Sequence, residues 1–314
     1  MNDLPGSAET ERDALRELLT AQLKEQRAAR RWRVFFRLSW LLLAVVVLWL
    51  GVSRTHVGTD LSVPHTALID IKGEIGSGAE TQAEEVVDAL REAFDDQGAK
   101  AVVLRINSPG GSPVHAGIIN DEIRRLKAKH EKPVYAVVEE SCASAAYYIA
   151  VAADQIFVDK ASIVGSVGVL MDGFGFTGLM DKLGIERRLL TAGENKGLLD
   201  PFSPLNKAQR AHAQSMLDQI HKQFIAVVRE GRGERLKETP EMFSGLFWTG
   251  EQAVKMGLAD DLANLTTVAR EVVEAEDIID YTRRENVAER LAKRFGAAIG
   301  EGAIKALRSF SPIH

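Results

Sequence analysis

The sequence predicts an α/β domain on a mainly parallel sheet, preceded by one N-terminal transmembrane helix, and three observations predict it. Short runs rich in Val and Ile, Ala67–Ile71, Ala101–Ile106 and Val134–Val138, alternate with helical stretches. That βαβαβ order covers a parallel sheet with its helical crossovers. Residues 34–53 read VFFRLSWLLLAVVVLWLGVS, about twenty residues and roughly 30 Å as a helix, the thickness of a bilayer's hydrocarbon core. With 314 residues, 46% hydrophobic and 26% charged, the chain can bury a full core in about one to two domains.

Taken in order, residues 1–33 form a charged helical segment, with Leu15, Leu18, Leu19 and Leu23 on one stripe of an otherwise solvated helix over 10–31. Within 34–53 the only charge is Arg37, near enough to one end to snorkel to the headgroups, and Trp40 and Trp49 lie towards the two ends. The run from Leu41 to Leu50 has no polar face, unlike a helix buried in a soluble core. Residues 1–33 precede the run and Gly51-Val-Ser-Arg-Thr lacks a small-x-small cleavage pattern, which favours a retained anchor over a signal peptide. Lys24, Arg27, Arg30, Arg31, Arg33 and Arg37 crowd the N-terminal flank, whereas the other flank offers Arg54. The positive-inside rule then places 1–33 in the cytoplasm and the large C-terminal part outside, which in a Gram-negative cell is the periplasmic side of the inner membrane.

A linker at 54–65 leads into a folded domain at 66–275. Between and after the three apolar runs the pattern predicts helices at about 81–97 and 113–129, a short helix near 143–152, and strands at Gln155–Val158 and Val167–Leu170. It continues with a helix around 175–183, a strand at Glu186–Thr191, a long helix over about 206–231 and a last helix near 250–257. Residues 276–314 form an amphipathic tail, in which Val287, Leu291, Phe295 and Ile299 recur at four-residue spacing from 284 to 310.

Charge and cysteine content narrow the chemistry. A net charge of -5 and a pI near 5.9 leave no dense basic face for phosphate neutralisation outside the N-terminal region, so nucleic acid is not an expected partner. One cysteine, Cys142, allows neither an internal disulfide nor a Cys-based zinc site.

Two loops at strand ends carry the candidate chemistry. An apolar strand, Pro133 to Val138, leads to Ser141-Cys-Ala-Ser-Ala-Ala-Tyr-Tyr148, which sets Ser144 at a strand-to-helix junction where backbone N–H groups gather and stabilise an oxyanion. Ser141 is positioned as the helix cap, leaving Ser144 in the first turn. Asn107-Ser-Pro-Gly-Gly111 closes the preceding strand; paired glycines let backbone approach a substrate, although such a run is also ordinary turn chemistry. A serine needs a base. The seven histidines fall in linker, tail or predicted helices. A lysine serves only when neutral, which means lowering its pKa from about 10.4 towards 7, about 4 kcal/mol. Lys196 has compact, uncharged neighbours in Gly193, Asn195, Gly197, Leu198 and Leu199, yet the residues alone do not single it out from the other lysines.

At these residues the chain resembles the SppA-type signal peptide peptidases, membrane-anchored serine–lysine peptidases of the Clp/crotonase fold, in their shorter, single-repeat form. The resemblance runs over about 66–265 and rests on Arg-Ile-Asn-Ser-Pro-Gly-Gly (105–111), Ala-Ser-Ala-Ala-Tyr-Tyr-Ile-Ala (143–150), Ile-Val-Gly-Ser-Val-Gly-Val (163–169), Glu-Asn-Lys-Gly (194–197) and Trp-Thr-Gly-Glu-Gln-Ala (248–253). It implies repeated ββα units around the sheet, Ser144 as nucleophile and Lys196 as general base. Ser166 would orient Lys196, and Gly111 and the N–H of Ala145 would hold the oxyanion. The family usually has glycines after the nucleophile, where this chain has Ala145 and Ala146. The resemblance further implies a ring-like homo-oligomer and peptide substrates, namely remnant signal peptides and other extended membrane-associated polypeptides, with no metal, nucleotide or other cofactor. Two other classes stand beside this one: a crotonase-type acyl-CoA enzyme, and a catalytically silent scaffold that binds membrane-protein segments.

Overall fold

The computed structural model describes residues 30–46 and 63–283, and the chain divides into two units, Met1–Asp60 and Leu61–His314. In the first unit, residues 30–46 are helical (α1), and every described side chain on it is exposed, including Phe35, Phe36, Leu41 and Leu42. Among the described residues no helix is long and apolar enough to cross a membrane. The expected span at 34–53 is described as far as residue 46; its residues 47–53 lie outside the described residues, as do residues 10–29 of the helix expected over 10–31 and residues 284–314 of the tail expected at 276–314.

The second unit is built on strands β1 (His65–Ile75), β2 (Ala99–Gly111) and β3 (Val134–Ala143), joined by helices α2 (Ala83–Asp95) and α3 (Pro113–His130). All three strands are parallel neighbours, as the βαβαβ pattern requires. Helix α4 (Ala145–Ala150) follows β3 without a loop. Two short strands then pair with different stretches of β3: β4 (Gln155–Val158) with Tyr135–Val137, and β5 (Ile163–Gly165) with Ser141–Ala143. The sheet is completed by β6 (Phe247–Thr249), antiparallel to β5, β7 (Asp261–Leu262) beside β4, and β8 (Ile278–Asp280), parallel to β1 on its outer side. Thus the sheet reaches past the expected domain end at 275.

Side chains alternate along each strand, so one sheet builds two cores. Ile69 and Ile71, Leu104 and Ile106, and Ala136 and Val138 face α2 and α3, where Leu90, Phe94, Ile119 and Ile123 meet them in the larger cluster. Leu68, Val103, Val137 and Phe157 point the other way and pack on Val268. Each fully buried aliphatic side chain contributes about 1.5–3 kcal/mol relative to an exposed one. Helix α3 has a clean start: the Ser112 Oγ accepts from the His115 N–H at 3.4 Å, with Pro113 at the first helical position. The long helix α6 (Lys207–Arg232) starts on Asn206, whose side chain accepts from Ala208 and Gln209, and α7 (Gly250–Met256) opens on a reciprocal Thr249/Gln252 capping box.

Three local expectations are corrected. The strand expected at Val167–Leu170 lies earlier, at Ile163–Gly165, because that is where β3 and β6 supply hydrogen-bond partners on both sides. The strand expected at Glu186–Thr191 does not form: the segment is exposed throughout and pairs with no strand among the described residues. Asn107–Gly111 is the end of β2 rather than a turn, with Gly110 opposite Glu74 and Gly111 opposite Ile75 beyond a register shift in β1. A helix α5 (Thr177–Leu183) matches the one expected at 175–183, and all of its side chains are exposed or half-buried.

Candidate active site

The end of β3 places Ser144 in an uncommon backbone state. Its φ of 53° and ψ of −122° lie where a non-glycine residue costs about 1–3 kcal/mol and persists only if its surroundings over-determine it. They do so here: the Ser144 N–H donates to the Gly165 carbonyl at 2.9 Å, and its own carbonyl accepts from the Tyr148 N–H at 3.0 Å. Ser144, not Ser141, stands at the cap position, because β3 continues through Ala143 and holds Ser141 in the strand. The hydroxyl makes no capping bond and the residue is half-buried, so the Oγ is left for other chemistry.

The N–H groups of Ala145, Ala146 and Tyr147 come before the first intrahelical bond of α4, the usual position of unspent donors. Positive φ is taken by Ser144 itself, and Ala145 and Ala146 are helical, so alanines serve where the related pattern has glycines. Helix α4 is held firmly: the Tyr147 hydroxyl donates to the Leu258 carbonyl at 2.8 Å, and Asn120 Nδ2 to the Tyr148 carbonyl at 2.7 Å. Burial pushes the Tyr147 hydroxyl pKa far up, keeping it a neutral donor. Burial likewise raises the neighbouring Cys142 thiol, which is fully enclosed and serves as packing.

At Gly110 β2 lies against this corner, and at Gly111 it lies against β1. A Cβ on Gly110, whose φ is 111°, would lie 2.8 Å from the Ser144 Cβ and 3.1 Å from the Ala145 nitrogen. One on Gly111, at φ 146°, would lie 2.1 Å from the Ile75 carbonyl oxygen. Only backbone fits in either place. The Gly110 N–H is taken by the buried Ser108 Oγ at 3.1 Å.

Ser166 adjoins the same corner. It too has positive φ, 52°, and its N–H donates to the Leu246 carbonyl at 2.8 Å, one residue after the carbonyl that receives the Ser144 N–H. Thus Ser144, Ala145, Gly111 and Ser166 stand on elements that meet here: β3 and α4, β2, and the end of β5.

Lys196 is placed differently. It lies in the turn 194–199, exposed, and its side chain makes no hydrogen bond or ion pair among the described residues. That turn belongs to a mostly exposed stretch, 168–206, on which Leu170, Phe174 and Leu190 are 81%, 78% and 95% exposed. A cavity of about 740 Å³ opens there, lined by Met171, Phe174, Leu189, Leu199 and Leu205 together with Glu194 beside the lysine. No histidine hydrogen-bonds Ser144 among the described residues: His115 accepts from the Ala83 N–H, His65 is buried against Tyr281, and His221 meets the Val167 carbonyl. Nor do the described residues include a group of three or more His, Cys, Asp or Glu side chains arranged to hold a metal ion.

Sequence reasoning missed the backing of the corner by Gly165 and Leu246. Gly165-Ser-Val-Gly168 was its only local signal.

A profile described as Peptidase family S49 matches residues 126–278, a stretch that includes Ser144, Ser166 and Lys196 but not Gly111. A Brucella melitensis protein named Na(+)/H(+) antiporter NhaA is 46% identical over 181 residues, 58% of this chain and 25% of that protein. The chain therefore spans about a quarter of that relative's length. A Methanocaldococcus jannaschii protein named as a protease is 32% identical over 234 residues, 73% of this chain and 75% of its own. Among solved structures, the 1510-N membrane-bound stomatin-specific protease superposes on 64% of this chain and 80% of its own at 18% identity, with a TM-score of 0.41.

Proposed function

For a chain that belongs to peptidase family S49 and is a serine peptidase of the SppA type, we propose a membrane-anchored endopeptidase with a Ser144–Lys196 dyad. Its substrates are remnant signal peptides and other extended membrane-associated polypeptides. The observation that carries the reading is Ser144 at the start of α4, its backbone at a strained positive φ, its hydroxyl making no capping bond and its Cβ beside Gly110. In the reaction, neutral Lys196 takes the Ser144 proton as Oγ attacks the peptide carbonyl. The N–H groups of Gly111 and Ala145 hold the oxyanion. The lysine then returns the proton to the leaving amine, and water, activated by the same amine, hydrolyses the acyl-enzyme. Ser166 fixes the lysine's lone pair without adding charge.

An exposed lysine is a poor base, so Lys196 must be covered before it can act. The apolar side chains around it supply the driving force for covering it with a second copy of the chain, and this supports a closed homo-oligomer of Clp/crotonase-like subunits whose dyads are completed on assembly. The apolar, exposed side chains of α1 and the arginines beside them support an anchor in the inner membrane, with residues 1–33 cytoplasmic and the catalytic domain on the periplasmic side.

The direct test is a fluorophosphonate probe applied to the full chain in its membrane. The expected result is one adduct, on the peptide containing Ser144, lost in Ser144→Ala. An active preparation left unlabelled, or labelled elsewhere, refutes the nucleophile, and an unlabelled, inactive one favours a scaffold. A second expectation follows from the close approach at Gly110. Gly110→Ala displaces Ser144 from its donors and should lower kcat by about 100-fold, as misplacement on the scale of 1 Å does. Steady-state hydrolysis of a fluorogenic peptide checks it; parental kcat would mean the corner tolerates the added methyl.

A further inference from the structure

We infer that His221 is a positioning residue for the Ser144 site, acting through the Val167 carbonyl; this rests on the peptidase reading above. Three successive residues at the end of β5, Gly165 to Val167, are tied to different parts of the fold. The Gly165 carbonyl accepts from the Ser144 N–H at 2.9 Å, and the Ser166 N–H donates to the Leu246 carbonyl at 2.8 Å. The Val167 carbonyl meets His221 Nε2 at 3.1 Å. A carbonyl can only accept, so Nε2 carries the proton in this contact. Of the three ties, this is the one made by a side chain, and it holds a segment in which Gly165 and Ser166 both have positive φ, 109° and 52°. Such backbone relaxes when a restraint is removed.

The place of His221 on α6 strengthens the inference. Ala213, Leu217, His221, Phe224 and Val228 follow one another at spacings of three or four on the inward stripe of that helix, with His221 half-buried. An apolar side chain would suit that stripe for packing alone. One turn further on, Phe224 packs on Tyr148 of α4 with ring centroids 5.2 Å apart. One face of α6 therefore restrains both flanks of Ser144: α4 through Phe224, and the 165–167 segment through His221.

The test compares His221→Leu, which keeps bulk and removes the donor, with His221→Gln, which can donate to the same carbonyl. Full-length chains are assayed for kcat, KM, the fluorophosphonate labelling rate at Ser144 and the thermal unfolding midpoint, alongside the parent and Ser144→Ala. In His221→Leu, kcat and labelling should fall together by about 10–100-fold, with KM within about twofold. Its midpoint should stay within about 2 °C of the parent. His221→Gln should recover most of kcat. Parental kcat in the leucine variant, equal impairment of both variants, or a loss that follows a lowered midpoint each overturns the inference while leaving a Ser144-dependent peptidase in place. A parent whose hydrolysis does not depend on Ser144 overturns the peptidase reading, and this inference with it.

Discussion

Chains carrying Ser144→Ala and chains carrying Lys196→Ala are each expected to lose peptide hydrolysis by about 10⁴-fold or more, as loss of a nucleophile or its base does elsewhere. Co-expressed, the two should recover activity. The reason is geometric: Ser144 lies in a backed corner of its own subunit, whereas Lys196 stands on an exposed apolar stretch with no partner for its amine among the described residues. If a second copy brings the lysine, a site built from the serine of one variant and the lysine of the other is intact. Random pairing makes about a quarter of sites so. Separately tagged variants, co-purified and assayed on a fluorogenic peptide, measure the recovery. A mixture as inactive as its components would mean that each chain supplies its own dyad, and full activity in either single variant would remove that residue from the mechanism.

The largest expected effect on stability is at the far end of α6. Arg232 is 1% exposed; its Nη1 and Nη2 donate to the two Asp260 oxygens at 2.8 and 2.9 Å, and its Nε to the Gly257 carbonyl at 2.8 Å. Without Arg232, Asp260 keeps the Arg235 Nη1 contact at 3.2 Å and the Ile156 N–H at 2.7 Å, so its buried charge loses most but not all of its compensation. Arg232→Leu should therefore lower unfolding stability by about 3–5 kcal/mol, seen as an earlier urea midpoint at unchanged slope. Arg232→Lys should recover only part of this, since a point charge cannot make the three-bond fork. The effect is tied to pH. Burial alone would raise the Asp260 carboxyl, but the Arg232 bonds and charge outweigh it and hold the group below its ordinary 3.8. A depressed carboxyl contributes stability that is present above its unfolded value and lost as pH falls through the folded one. The deficit of Arg232→Leu should thus be full at neutral pH and shrink below about pH 3.8. A leucine variant within about 1 kcal/mol of the parent at pH 7 would show that the pair adds little over apolar packing.

Much of the architecture is written locally. Alternation in Ala67–Ile71, Ala101–Ile106 and Val134–Val138 marks residues that face two cores, and helical spacing marks α2, α3 and α6 with their ends nearly in place. Ser144 is visible because a β-rich run stops and small helix formers begin within a few residues. Strands of two or three residues, β5 to β8, carry no period to read, and β5 accordingly lies a few residues before the expected Val167–Leu170. Glu186–Thr191 carries a single β-branched residue, Thr191, and pairs with no strand among the described residues.

By itself, then, the sequence determined helices α2 to α7, the three long parallel strands and the junction that carries the serine, because each rests on contacts between residues close in the chain or on a strict side-chain period. Only the tertiary structure decided that Ser144 adopts positive φ, that Gly110 touches it, that Gly165, Leu246 and His221 brace the segment behind it, and that Lys196 is left exposed. Those features depend on hydrogen bonds and close approaches between segments tens of residues apart. No residue type encodes its distant partner.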